Sequence, residues 1–488
     1  MAAAPRARRI NIPLRRVTLV CGAMLFVLLA KVTYIQAFSS VRLGEDPRNH
    51  RMMIARFDGP RGEIMLRDGT VIAASRDNGA GLFRYRRVYP QGPLYAPVTG
   101  HISLYGESGL EKAEDAVLSG RDPYVRVRSL VNGIDRGATL ELTIDGRAQL
   151  AAYEALRATG RPGAVVAINP NTGAILALAS FPSYDPNVYT TFDSAQLDSV
   201  DTRLRGDPGN PLLNRALQQS YPPGSAFKVV TSAAALSSGK YSPAAKVDAP
   251  VELRLPGTDT YLRNSGGSTC GDGDPPLAYA FKVSCNTPFA KIGLELGQGA
   301  LRKQAEAFGF NADDLTVPLP VARSVYPQGM NRAQTAMSAL GQFDDRVTPI
   351  MIAMISAAVA NDGVLMRPYL VAEARLADGT VIRDAEPARY RRALDKDEAN
   401  RLTAMMVTVT RPGGTGEAAV LPGIDVAAKT GTAENTAVGR DHAVFTGFAP
   451  AAKPRVAVGV LVEGGGAGGQ VAAPIAKAVM RALLEDSG

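Results

Sequence analysis

Apolar positions along the chain fall into three regimes. The first is one long run, Val17 to Phe38, interrupted by Lys31 and Gln36. At helical rise it is long enough to cross a bilayer, and Lys31 can extend its ammonium to the outer surface. The second regime, residues 39–137, alternates short strand-like runs with turns, as in 61–65, 69–74 and 83–89. Tyr85 and Tyr89, with arginines between them, predict a half-exposed strand. Glu107, Glu111 and Glu114 read as the solvated face of a short helix, and turn residues at 132–137 mark a boundary. The third regime alternates buried strands and helices. Leu140 to Ile144 predicts a strand and Arg147 to Leu156 an amphipathic helix. Residues 163–179 form two apolar runs around Asn169-Pro170-Asn171-Thr172-Gly173, a hairpin with Gly173 at positive φ. Residues 300–340 and 348–361 read as helical. Val426 to Glu434, Ala443 to Phe448 and Val456 to Val462 predict three more strands, and Pro474 to Leu484 a closing helix. A hairpin at one end, three strands at the other and helices between predict an α+β domain: one antiparallel sheet with helices packed around it.

Charge orients this plan. Arg6, Arg8, Arg9, Arg15 and Arg16 precede the long apolar run, which keeps the N-terminus in the cytoplasm and the rest of the chain outside. The polar residues from Lys31 to Gln36 fit a signal-peptidase site poorly, so the run reads as a retained anchor. Cys21 lies near the start of the run, where a lipidated cysteine is not expected. The expected organisation is a tail at 1–16, a membrane anchor at 17–38, a small, mainly β pedestal at 39–137 and a larger domain at 138–488. Of 488 residues, 46% are apolar and 20% charged, globular values that exclude wholesale disorder. The net charge of +8 comes with no dense basic stripe, so nucleic acid is not expected as a partner. Three cysteines and three histidines (His50, His101, His442) show no metal-ligand spacing, and no metal or cofactor is expected. Outside the cytoplasm Cys270 and Cys285 can pair; the alternative is two buried thiols.

Candidate chemistry centres on Tyr221-Pro222-Pro223-Gly224-Ser225-Ala226-Phe227-Lys228. The Pro-Pro-Gly turn stops just before a serine, and an apolar run to Leu236 predicts a buried helix behind it. Ser225 then stands at a helix start and Lys228 one turn deeper on the same face. A serine needs a neighbouring base, and burial disfavours the charged form of lysine. A second Ser-x-x-Lys, Ser237-Ser238-Gly239-Lys240, falls at the end of the same helix and reads as its C-cap. Ser284-Cys285-Asn286 follows in the chain, then Lys429-Thr430-Gly431-Thr432 on the first late strand. Each is weak alone. Their order, Ser-x-x-Lys, Ser-x-Asn, Lys-Thr-Gly, is the signature of penicillin-binding proteins and serine β-lactamases.

With these motifs the sequence resembles a class B penicillin-binding protein, most closely the actinobacterial penicillin-binding protein A type. Pro60-Arg61-Gly62, residues 178–187 and residues 442–450 extend the resemblance over nearly the whole chain. The absence of tryptophan and the cysteine inside Ser-x-Asn depart from many relatives without removing a reacting group. The resemblance implies a five-stranded transpeptidase-like sheet with helices on both sides. It also implies a D,D-transpeptidase of cell-wall synthesis, acting in division or elongation, which β-lactams acylate. The expected roles are Ser225 as nucleophile, Lys228 as base and Ser284 as proton relay. Asn286 would hold the substrate amide, while Lys429, Thr430 and Thr432 bind the terminal carboxylate and Gly431 leaves room for substrate. Partners would be peptidoglycan stem peptides, the membrane and cell-division or elongation proteins. A hydrolase on the same fold, either a D,D-carboxypeptidase or a β-lactamase, is the alternative. It needs a base for water, and no spacing singles out Glu295 or Glu306. A non-catalytic scaffold is the third reading.

Overall fold

The structure, a computed structural model, describes residues 6–39, 54–79, 81–132, 136–433 and 439–485. His50, Glu434 and the centre of the predicted boundary turn, 133–135, lie outside the described residues. The chain divides into two compact units, Met1–Gly59 with Asn78–Tyr85, and Pro60–Asp77 with Arg86–Gly488. In the first, α1 spans Arg6–Tyr34. Pro13–Phe38, 26 residues with a mean hydropathy of 2.0 and none of it buried, is long and apolar enough to cross a membrane.

In the second unit two sheets carry the architecture. Strands β1 (Ile64–Leu66), β2 (Val71–Asp77) and β3 (Tyr85–Val88) lie on one side of a six-stranded sheet. β4 (Thr139–Leu142) lies parallel to β1, with Ile64 opposite Leu140. Its other edge pairs with a strand at Val371–Arg375, Leu140 opposite Ala374. Residues on either side of the expected boundary at 137 therefore share one sheet, because β4 needs partners on both edges. The pedestal segment also holds helices at Gly92–Thr99, Gly109–Ala113, Asp115–Leu118 and Pro123–Asn132. Glu111 and Glu114 are not solvated: they are buried. Glu111 accepts from Arg61 Nε at 3.0 Å and Arg87 Nε at 2.6 Å, and Glu114 pairs with Arg383 at 2.9 Å. Arginines brought in by other elements neutralise an inward acidic face, which the local pattern could not show.

The second sheet is the predicted antiparallel one. The hairpin β5 (Gly163–Ile168) and β6 (Ile175–Phe181) joins the late strands through its first strand. In chain order the late strands are β7 (Ala427–Ala433), β8 (His442–Ala449) and β9 (Val456–Val462). The order across the sheet is β7-β8-β9-β5-β6, with Ala457 opposite Ile168. Both faces are covered, so β5 is apolar at every position. Ala164, Val166 and Ile168 join the core that includes Ile350, Ala353 and Ala357 of the buried helix Pro349–Ala360. Val165 and Ala167 face the core that includes Ala152 and Val479, from the helices Gly146–Ala158 and Gly468–Leu484. The helical reading of 300–340 needs correction. Helix stops at Ala307 and resumes over Arg332–Ser338. Pro318, Pro320 and Pro327 each lack an N–H for the helical ladder, and Asn311 takes φ 61°, so the segment between is irregular.

Candidate active site

Ser225 lies in the 3-10 turn Gly224–Phe227, and Lys228 is the first residue of the helix that follows, α2 (Lys228–Ser237). The turn is anchored upstream. Tyr221 exchanges backbone hydrogen bonds with Val347 (2.9 and 2.7 Å), and its hydroxyl donates to Glu463 Oε1 at 2.7 Å. Against this turn packs β7, backbone to backbone. Gly224 has φ 52°, and a side chain there would come within 2.6 Å of Thr432 O; one on Gly431 would come within 3.1 Å of both Ala226 N and Pro223 O. Gly431 thus makes room for the serine turn, not for substrate as expected, because its missing side chain points to the protein side of the strand.

Ser284 sits between the helices Leu277–Lys282 and Thr287–Ala307 at φ 62°, a conformation rare for a residue with a Cβ and one that marks functional sites. Cys285 is joined to Cys270, with Cα atoms 6.0 Å apart, which ties this loop to residues 264–270. Two lysines converge here. Lys429 Nζ donates to Ser284 Oγ at 2.8 Å and Thr430 O at 2.9 Å. Lys228 Nζ donates to Ser284 O (2.9 Å), Cys285 O (2.7 Å) and Asn286 Oδ1 (2.8 Å), with Ser284 Oγ at 3.4 Å. Both side chains are fully buried. Burial, then the charge of Lys429, pushes the Lys228 amine well below its ordinary range. Burial alone pushes Lys429 down to about 7. A buried amine that sheds its proton near neutrality is a base, and a serine hydroxyl within reach of two such amines can pass a proton along.

Above the lysines lies a cleft of about 770 Å³, lined by Ser225, Ser284, Asn286, Thr430 and Thr432 among others. The structure thus brings the three motifs to one place. Some expected contacts differ. Among the described residues no hydrogen bond joins Ser225 to Lys228. Asn286 has both ends of its amide engaged, since Nδ2 donates to Arg263 O at 3.0 Å. Thr430 shares a 2.5 Å hydrogen bond with Thr415, a cleft residue no motif flagged. Asn264, also missed, accepts from the backbone N–H groups of Asn286 and Thr287; only the fold places it there. Ser237 and Lys240 lie at the exposed end of α2, with Gly239 at φ 69° just beyond the cap and Lys240 paired with Glu295. Glu295 and Glu306 do not line the cleft; among the described residues the acids that do are Glu417 and Asp441.

A family profile described as the penicillin-binding protein transpeptidase domain matches residues 163–481. The chain belongs to the penicillin-binding protein transpeptidases. A second profile, the penicillin-binding protein A dimerisation domain, matches residues 61–139. Among relatives of this penicillin-binding chain, the peptidoglycan D,D-transpeptidase PbpA of Mycolicibacterium smegmatis is 42% identical over 98% of this chain and 99% of its own. The protein of the same name from Mycobacterium tuberculosis is 40% identical over 97% of this chain and 99% of its own. The ceftriaxone acyl-enzyme complex of penicillin-binding protein A from M. tuberculosis superposes with a TM-score of 0.85 at 40% identity, covering 88% of this chain and 100% of that one. Its penicillin G acyl-enzyme complex gives a TM-score of 0.83 at 41% identity over the same shares.

Proposed function

We propose that the chain is a peptidoglycan D,D-transpeptidase that works through an acyl-enzyme on Ser225. The observation that carries this reading is the pair of buried lysines on one serine hydroxyl, beneath a cleft into which Ser225 opens. Ser225 Oγ attacks the carbonyl between the two D-alanines of a stem peptide while neutral Lys228 takes its proton. The N–H groups of Ser225 and Thr432 receive the developing oxyanion. As the C–N bond breaks, Ser284 hands a proton to the leaving D-alanine amine, resupplied through Lys228. Lys429, Thr430 and Thr432 hold the terminal carboxylate. The amine of a second stem then attacks the ester, Ser225 regains its proton, and the cross-link is the new amide. β-Lactams present the same carbonyl and acylate the same serine. β7 is an edge strand, so its free backbone groups can pair with an extended stem peptide.

The apolar helix anchors the chain in the membrane with the arginine-rich tail in the cytoplasm and the cleft outside. The segment before residue 139 is a docking region for division or elongation proteins. The test is labelling of the full-length protein, in detergent micelles, with a fluorescent penicillin. Stable label on wild type and Ser237→Ala, and none on folded Ser225→Ala, is the expected result. Label that turns over within seconds would favour the hydrolase reading, and an unlabelled, folded wild type would overturn acyl-enzyme chemistry.

A further inference from the structure

The helix Thr287–Ala307 begins from Asn286, which occupies its N-cap yet makes no side-chain cap bond. Its backbone is helical (φ −95°, ψ −50°) and the second helical residue is Pro288, which has no N–H, so its side chain is free to point elsewhere. Its Oδ1 accepts from Lys228 Nζ at 2.8 Å. The helix still needs a cap, since its first turn is buried. Asn264 supplies it from a separate loop. Its Oδ1 accepts from Asn286 N at 2.7 Å and Thr287 N at 3.1 Å. Asn264 is 5% exposed, and its Nδ2 donates to Ser268 O at 3.2 Å, which sets the end of the amide that faces the helix. The neighbouring carbonyl, Arg263 O, takes Asn286 Nδ2 at 3.0 Å. The disulfide at Cys270 joins the same loop to Cys285.

We infer that Asn264 is a positioning residue of the transpeptidase centre: it holds the backbone of Asn286 and Thr287 at the helix start while the neighbouring carbonyl, Arg263 O, holds Asn286 Nδ2, and together they aim Asn286 Oδ1 at Lys228. A neutral lysine has two N–H groups and one lone pair, and the lone pair points away from whichever acceptors the N–H groups choose. Of the acceptors Ser284 O, Cys285 O and Asn286 Oδ1, the neutral amine can keep only two, and which two it keeps decides whether the lone pair reaches the Ser225 proton. Without Asn264 the Asn286 backbone loses its anchor, its amide shifts, and the amine loses one of its three close acceptors.

The inference rests on Lys228 acting as the base, and the experiment separates the two. Acylation of the full-length protein by a fluorescent penicillin is followed by rapid mixing, giving the first-order acylation constant and the pre-acylation dissociation constant. Asn264→Ala should lower the first-order constant by roughly 10- to 100-fold, the scale of a small misplacement, with the dissociation constant near wild type. Asn264→Asp keeps the acceptor oxygens and should recover most of the rate. A merely structural role would lower the melting temperature of Asn264→Ala and leave the rate per folded molecule unchanged. Should Asn264→Ala not fold, Asn264→Ser, whose hydroxyl falls short of the helix, carries the same expectation. A wild-type first-order constant in the folded Ala or Ser variant, or no recovery in folded Asn264→Asp, overturns the inference. Wild-type acylation that survives Lys228→Ala overturns the base assignment instead.

Discussion

Lys228 and Lys429 are fully buried within reach of one hydroxyl, and that closeness sets the pH behaviour of the site. Acylation requires Lys228 neutral, so its rate should fall as pH drops through the lowered Lys228 value. Lys429 contributes to that lowering by its charge. In Lys429→Gln the acid limb of the labelling rate should therefore move to higher pH, and an unmoved limb would mean that the two amines do not sense each other. Lys228→Ala should cost about 10²- to 10⁴-fold in acylation, the usual worth of a positioned base. Stability responds to the same burial. Between about 7 and 10.5 Lys429 binds more proton unfolded than folded, so folding stability rises with pH across that window. Thermal melts of wild type and Lys429→Met should show a shallower pH slope for the variant.

At the scale of elements, short buried charges hold the parts in register. Glu111, on the helix Gly109–Ala113, receives Arg61 and Arg87 from the strand side of the same unit. Burial alone would raise its carboxyl; Arg87 and then Arg61 overcome that and hold it below the usual range. Its stabilising effect is full above the unfolded value of 4.5 and is lost as pH falls through the folded value. Glu111→Ala leaves buried Arg87 without its carboxylate and Arg61 with Asp115 alone, and should cost about 3–5 kcal/mol, read by chemical denaturation near neutral pH. The Cys270–Cys285 bridge closes a 15-residue separation, so Cys270→Ser should cost on the order of 3 kcal/mol. Mass analysis of unreduced peptides should find residues 270 and 285 on one linked fragment.

For the whole molecule the apolar helix and the sheets belong to separate units. Among the described residues one helix, with arginines on its N-terminal side, is long and apolar enough to cross a membrane, and we propose that it tethers the catalytic unit. Protease added to intact spheroplasts should remove the penicillin-labelled unit and leave a tag on the N-terminal tail protected; a tag that is cleaved would reverse the proposed orientation. Within the larger unit, the sheet that pairs Ile64, Leu140 and Ala374 joins the segment before residue 139 to the catalytic half.

The local patterns already contained the long apolar helix, the five strands of the catalytic sheet and the three motifs, because burial period, turn residues and motif order are properties of neighbours in the chain. The C-terminal reading of Ser237-Ser238-Gly239-Lys240 was likewise legible, since Gly239 and the end of apolar periodicity lie side by side. What only the tertiary structure decided concerns groups distant in sequence. It turned Glu111 inward, because its arginines lie 50 and 24 residues away. It gave Gly431 to the serine turn instead of the substrate, because strand and turn meet backbone to backbone. It set both lysines on Ser284, and put the cap of one helix on Asn264, 22 residues before the residue it serves. Buried donors and acceptors must all be satisfied at once, and which partner satisfies each is settled only when the chain closes on itself.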